Sequence, residues 1–506
     1  MTGLVIQPMK LGDLVQSTPL LTQLKKEVER LILVVARPEV AVAAKITNLP
    51  DEVIFLPEAE FIKGEFSPAS QAELNKLPHN PDLLVNLSSS APSLALAERF
   101  KARTHLGPQK GPNGLLLPPA QKIAAAVMAV DRSLGRLNLV DIWRHLAPAA
   151  KSAGKLVWPL SPPDSVFIES FNSLFLARAD RTPLVGLHLG SGNHLRRWPV
   201  ERFAHLAKAL APARCVLLGS QGERSLARRF LALFDSSDSV DSSDSKIKPE
   251  KPIDLTGQTT LASLGQVISL LDLFVSADTG VMHIAAAVGV PILAVFGGPA
   301  LAGETGPYAN GSIIVQGHSH CSPCAENKPC PARPCPALPQ AGPVLAEARK
   351  ILSNMAKAKV LTGQPTGQSL GPDLSPFLDP SHSHDHSPCA IPKPQNQAEA
   401  YSLTFEVSSD DLGQTLKPAE PTYLTDRERL ALSIRESAAA HLKPCHERNP
   451  YLEKMDNYLY SKDNKPASDL LPVIKSVANL AIDRKDQRQN FIDRAMAALE
   501  LMDGIY

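Results

Sequence analysis

Short apolar runs alternate with longer helix-compatible stretches along the first 160 residues, and the alternation starts again at Pro183. Gly3–Gln7, Leu31–Ala36, Glu52–Leu56 and Asp82–Leu87 read as strands. After the first of them, Leu14, Leu20, Leu21, Leu24 and Val28 fall on one helical stripe, and Pro38–Ile46 reads as a second helix. Strands separated by helices are joined by right-handed crossovers and make parallel sheets with helices on both faces. In such sheets ligands bind in the crevice outside the carboxyl ends of the strands. The loops that follow strands are therefore where chemistry is to be sought.

The run "WPLSPPDS", residues 158–165, suits a linker because its prolines cannot continue a helix. Beyond it, Pro183–Leu189 is a strand ending in "GSGNHLRRWP", Val200–Leu210 a helix, and Cys215–Leu218 a strand ending in "GSQGE" before a helix to about Phe234. Asp254–Gly257 resumes order after the polar run "DSSDSVDSSDSKIKPEK", which reads as a floppy surface insertion. The stretch "SADTGVMHIAAAVGVPILAVFGG", residues 276–298, is strand, loop, Ala-rich helix and strand. It places Asp278, Thr279 and Gly280 at a helix N-terminus, where unpaired N–H groups and the helix dipole favour an anion such as phosphate. Two consecutive Rossmann-like units predict a ligand cleft between them.

Composition narrows the reading. The chain has 506 residues, more than one ordinary core accommodates, and 44% are hydrophobic, as in globular proteins. The net charge of +1 lacks the basic footprint of a nucleic-acid binder. The N-terminus shows no secretory signal pattern, and no apolar run approaches the roughly 20 residues of a membrane span, so a cytoplasmic location is expected. The expected layout is a first Rossmann-like domain over 1–160, a second over 161–357 with a Cys-rich segment at 320–336, a disordered linker over 358–420, and a small helical extension over 421–506. That extension opens with the capping-box spacing of Thr425 and Glu428 and balances its charges.

Three ordered motifs carry a family resemblance: Gly12-Asp13 after the first strand, Arg196-Arg197 before Trp198-Pro199, and Asp278-Thr279-Gly280-x-x-His283 preceded by "DLTGQTTL". Over about residues 1–357 the chain resembles the ADP-heptose:lipopolysaccharide heptosyltransferases, glycosyltransferase family 9. The resemblance implies the GT-B architecture, two doubly wound Rossmann-like domains facing a cleft. It implies inverting transfer of heptose from ADP-heptose to a lipid-linked inner-core oligosaccharide of lipopolysaccharide, with peripheral contact at the inner membrane. Asp13 matches the family's candidate catalytic base, which would take the acceptor hydroxyl's proton; read as a residue alone, it equally suits a helix cap. Gly12 beside it lets the backbone turn and a sugar approach.

On the donor side, Arg196 stands where the family usually has Lys. With Arg197 it would offset charge on the leaving diphosphate. Thr279 and the amides from Gly280 onward are expected to hold phosphates, and Asp278 the sugar hydroxyls. His283 lies one turn on and either donates to a phosphate or satisfies the loop. Ser191 is expected to line the donor site, and Glu223 to accept ribose hydroxyls, with Gln221 as a competing alignment. No Asp-x-Asp motif ends a strand, so transfer without a metal cofactor is expected. Cys321, Cys324, Cys330 and Cys335 form C-x2-C-x5-C-x4-C, open to a structural zinc, free thiols or disulfides. Two other readings stay open: heptosylation of protein side chains, and a non-catalytic protein that binds nucleotide sugars or acts as a scaffold.

Overall fold

A computed structural model describes residues 1–111, 114–118, 138–144, 146–147, 154–179, 182–236, 249–318, 324, 330, 333–361, 401–410 and 413–418. The first unit runs β1 (Thr2–Ile6), α1 (Leu11–Glu27), β2 (Arg30–Val35), α2 (Pro38–Thr47), β3 (Glu52–Phe55), α3 (Glu58–Lys63), α4 (Pro68–Asn75), β4 (Leu83–Asn86), α5 (Ala91–Ala97) and β5 (Thr104–Leu106). Its parallel sheet has the order β3-β2-β1-β4-β5, with Val5 opposite Leu33 on one side and Val85 on the other. Helices cover both faces. Leu4, Val5 and Ile6 are consequently all buried, so these consecutive residues of β1 are apolar rather than alternating. A small hairpin follows, β6 (Gln109–Gly111) with β7 (Gly114–Leu116).

Connecting elements α6 (Leu139–Arg144), α7 (Ser165–Ser170) and α8 (Asn172–Ala179) lead to the second unit. That unit contains β8 (Leu184–His188), α9 (Val200–Ala209), β9 (Arg214–Leu218), α10 (Arg224–Asp235), β10 (Ile253–Asp254), α11 (Leu261–Ser269), β11 (Leu273–Ser276), α12 (Gly280–Val288), β12 (Ile292–Phe296), α13 (Ala302–Thr305), β13 (Ile313–His318) and α14 (Ala341–Leu361). The sheet order is β10-β9-β8-β11-β12-β13, parallel throughout, and it continues into β14 (Tyr401–Asp410) and β15 (Gly413–Pro418), both antiparallel to their neighbours. The architecture is two doubly wound α/β units.

In each sheet the winding direction reverses once, between β1 and β4 in the first and between β8 and β11 in the second. The loops after β1, β8 and β11 are the three motif-bearing loops. Each lies at a topological switch point, where strand ends splay and leave a crevice.

Helix α1 carries Pro19 in its interior. Proline has no N–H, so the Val15 carbonyl loses its helical donor. The Thr18 hydroxyl replaces it, donating to Val15 O at 2.6 Å, and Thr18 Oγ1 in turn accepts the Val157 N–H at 2.9 Å. This holds the start of the Pro-rich linker against the first unit. On the other side, Trp158 is buried and Gln266 Nε2 of α11 donates to Ser161 O. The linker is thus pinned to both units.

One expectation needs correction. The stretch 358–420 was read as a disordered linker, but α14 extends to Leu361, and 401–410 with 413–418 form a hairpin on β13. Tyr401, Leu403, Phe405 and Val407 alternate with polar residues, the period-two signature of a half-buried strand. The Pro- and Ser-rich composition before residue 400 masks that alternation. Val407 is buried and pairs with the loop before β13: Gly311 N donates to Val407 O and Val407 N to Ser312 O, both at 2.8 Å. The helical extension over 421–506 and most of the polar insertion lie outside the described residues.

Candidate active site

The N-termini of α1 and α12, one from each unit, meet head to head. A Cβ built on Gly12 would lie 3.2 Å from Gly280 Cα and 3.1 Å from His283 Cδ2, and one on Gly280 would lie 3.0 Å from Gly12 N. The two glycines therefore allow the helices to touch. The missing side chain of Gly280 clears space for α1. Two positive helix ends at one place make a position suited to an anion.

Asp13 sits in the first turn of α1, its Oδ2 accepting the Lys10 N–H at 2.9 Å. This oxygen thus serves the capping role that the residue type suits. Burial raises the Asp13 pKa, opposed by that N–H and by the charges of Lys10, Arg196 and Arg37. A carboxylate held above its ordinary value is a better proton acceptor.

Asp278 ends the loop after β11 and is 6% exposed. Its Oδ2 receives Arg196 Nη1 at 2.7 Å. Burial raises its pKa, the Arg196 charge and the Thr305 hydroxyl lower it, and Asp13 and Glu304 raise it. Asp13 and Asp278 therefore sense each other across the two units. Thr305 Oγ1 is buried and has no hydrogen-bond partner among the described residues, so its effect on Asp278 is one of proximity. Arg196 closes a single-turn 3-10 helix, His194–Arg196, whose Asn193 cap accepts the Leu195 N–H. The cation expected to face diphosphate is thus paired with the carboxylate expected to face the sugar.

The other sequence-derived residues fall around this pair. Arg197 Nε donates to Ser191 O at 3.0 Å, so Arg197 braces the loop. Ser191 is buried, and its hydroxyl reaches Asp278 O at 3.4 Å, linking the loops after β8 and β11. Thr279 is the N-cap of α12, with Oγ1 accepting the Met282 N–H at 3.4 Å. His283 is 2% exposed, burial drives its pKa down to about 3, and Nδ1 has no hydrogen-bond partner. With its pKa so lowered the ring is a neutral imidazole, and it packs toward Gly12.

Glu223 closes a single-turn 3-10 helix, Gln221–Glu223, in the loop after β9, its Oε2 accepting Ser220 N and Oγ at 2.6 and 2.8 Å. Its Oε1 lies 3.7 Å from His188 Nε2 and occupies the space a Cβ on Gly190 would need. Glu223 is thus fixed beside the loop after β8. Cys324 and Cys330 are half-buried and Cys335 is buried, while Cys321 lies outside the described residues. Among the described residues no three metal-binding side chains gather around one point.

Sequence reasoning missed Arg37, Lys10 and Thr305. Arg37 follows β2 and is ion-paired with Glu58, yet its charge reaches Asp13. Its place after a strand was the available signal. Thr305 had none, since only the packing of α13 brings it to Asp278.

Two Rossmann-like units joined at their switch points by paired helix N-termini constitute the GT-B class of architecture. Residues 141–334 match the model of Glycosyltransferase family 9 (heptosyltransferase). The match leaves out Asp13 and its sheet. Lipooligosaccharide heptosyltransferase 2 of Campylobacter jejuni serotype O:2 is 27% identical over 177 residues, 34% of this chain and 51% of that protein. Its serotype O:6 counterpart is 27% identical over 154 residues, 30% and 45% of the two chains. The chain thus spans about half the length of the curated relatives it matches. Among solved structures, E. coli ADP-heptose lps heptosyltransferase II superposes with a TM-score of 0.49 at 19% identity, covering 70% of this chain and 100% of that one. A family 9 glycosyl transferase from Veillonella parvula gives 0.47 at 19% identity, covering 62% and 86%.

Proposed function

We propose that the protein is an inverting glycosyltransferase that moves heptose from ADP-heptose to an inner-core oligosaccharide acceptor of lipopolysaccharide. The observation that carries this reading is the convergence of Asp13, Arg196 and Asp278 where α1 and α12 meet. In it, Asp13 takes the proton from the acceptor hydroxyl as that oxygen attacks the anomeric carbon from the face opposite the diphosphate. The C–O bond to the diphosphate breaks as the new glycosidic bond forms, and ADP departs with both electrons. Arg196, the Thr279 hydroxyl and the first amides of α12 stabilise the charge gathering on the leaving group, as fixed donors aimed at developing charge do. Asp278 orients sugar hydroxyls, which requires Arg196 to exchange its carboxylate partner for phosphate when donor binds. Arg197, Ser191 and Glu223 hold the surrounding loops, with Glu223 next to the ribose.

These cations and helix ends supply the electrostatic stabilisation for which other transferases use a divalent ion, so transfer proceeds without one. Among the described residues no helix is long and apolar enough to cross a membrane, and access to a lipid-linked acceptor is by peripheral contact. The test is ADP release from ADP-heptose with a heptose-free lipopolysaccharide acceptor, in EDTA, for wild type and Asp13→Ala. Acceptor-dependent release that the substitution lowers by about 10²–10⁴, the contribution of a general base, supports the reading. Undiminished release by a folded Asp13→Ala variant would remove Asp13 as the base, and absence of release by wild type would remove the donor–acceptor pair.

A further inference from the structure

The turn that carries Arg196 is gripped by a segment far along the chain. Arg196 closes the 3-10 turn His194–Arg196, and a second 3-10 turn, Cys335–Ala337, packs against it. Trp198, two residues past Arg196 and 2% exposed, donates its indole N–H to Pro339 O at 2.9 Å. Arg202, in the first turn of α9, donates through Nη1 to the same carbonyl and, at 2.7 Å, to Ala337 O. An indole and a guanidinium, both on the stretch that begins at Arg196, thus converge on the carbonyls that end the second turn.

Both turns rest on the backbone that follows β12. A Cβ on Gly297 would lie 2.5 Å from Cys335 O, and one on Gly298 would lie 2.3 Å from Leu195 O, so each turn touches one of two adjacent glycines. Gly298 O also accepts the Cys324 N–H at 3.0 Å. On the outer side, Arg333 Nη1 lies 3.1 Å from His194 Nε2. The Arg196 turn is therefore tied to segment 333–339 through its own residues His194 and Leu195 and through Trp198 and Arg202 just beyond it.

We propose that Trp198 and Arg202 are positioning residues for Arg196: by gripping 337–339 they hold the Arg196 backbone still, so that its guanidinium meets Asp278, and then phosphate, by side-chain rotation alone. A cation on a loose turn would have to be ordered each time it changed partner, and a small displacement of a charge-stabilising group is costly to the rate. The exchange for phosphate rests on the transferase reading above. The hold on the Arg196–Asp278 pair does not, and the two are separable by experiment.

The experiment uses the full chain. The coupling between Arg196 and Asp278 is measured by urea unfolding of Arg196→Met, Asp278→Asn and the double variant, and the cycle is repeated with Arg202→Met in every member. The expected result is a coupling that falls to less than half once Arg202 is gone. A general loss of stability would not produce this, because it cancels within the cycle. Unchanged coupling would overturn the proposal.

Transfer from ADP-heptose to a heptose-free lipopolysaccharide acceptor is then followed in the same variants. Arg202→Met is expected to lower kcat about 10–100-fold with the acceptor KM unchanged, and to lower it no further where Arg196→Met is already present. Equal losses with and without Arg196, or a loss confined to KM, would overturn the proposal. Trp198→Phe removes the N–H and keeps an aromatic ring; it is expected to repeat both results at smaller size, and it carries the test if Arg202→Met does not fold. If wild type transfers nothing, the transferase reading fails and the coupling decides alone.

Discussion

Removing the cation from the Arg196–Asp278 pair is the sharpest test of the site's electrostatics. In Arg196→Met the Asp278 carboxylate, 6% exposed, keeps only Thr305 beside it, with Asp13 and Glu304 opposing. Two unit charges about 4 Å apart at an effective dielectric of about 20 attract by about 4 kcal/mol. Two effects offset part of that: Arg196 is itself 30% exposed, so the pair is partly screened, and its removal ends its own desolvation. The net destabilisation expected at pH 8 is about 2 kcal/mol, to be checked by the shift in the urea unfolding midpoint.

Burial already raises the Asp278 pKa in the folded protein, and loss of Arg196 raises it further. The folded variant therefore binds a proton at Asp278 more readily than the unfolded chain does. Its stability falls as pH rises from the unfolded value toward the folded one, and the deficit relative to wild type shrinks on acidification. Asp278→Asn added to Arg196→Met removes the buried charge and is expected to recover more than half of the loss. A single variant as stable as wild type at pH 8, a deficit indifferent to pH, or no recovery in the double variant would each refute this account of the pair.

Two further outcomes follow from the same geometry. Asp13 must be ionised to accept a proton, and burial raises its pKa, so the acid limb of kcat/KM should lie above 3.8; in Arg37→Met, which deletes a cation that lowers this pKa, a pH–rate profile should show that limb moved upward. Gly280→Ala places a methyl 3.0 Å from Gly12 N, forcing α1 and α12 apart and costing about 1–2 kcal/mol in a thermal or urea melt, whereas Gly192→Ala, with nothing within 4 Å, should leave stability unchanged.

The strand–loop–helix units were legible because each helix start is punctuated by polar or glycine residues after an apolar run, as at Asp278-Thr279-Gly280 and Gly12-Asp13. The fold class follows from that alternation, and the switch points then select three loops without further information. Pairings within the site were not legible. Arg196 and Asp278 are separated by 82 residues, and nothing local to either says that the cation is spent on a carboxylate. Thr305, the last residue of α13, lies in a stretch without motif character and comes near Asp278 only through packing. Gly280 was legible as part of a helix N-terminus, but that a helix of the other unit excludes a side chain there was not. The hairpin at 401–418 was hidden by its surroundings, since composition averaged over a window hides a short alternating run.

That hairpin bears on how the molecule can be divided. A boundary at residue 357, where composition changes, would cut away β14 and β15 and leave Ile313–His318 with a row of unpaired backbone N–H and C=O groups on its outer side. A mostly apolar strand in that state is a template for another chain, and association through it brings aggregation rather than a smaller folded protein. Any shortened version that preserves the second unit therefore ends after Pro418, and fusion partners or tags belong beyond that point rather than in place of the hairpin.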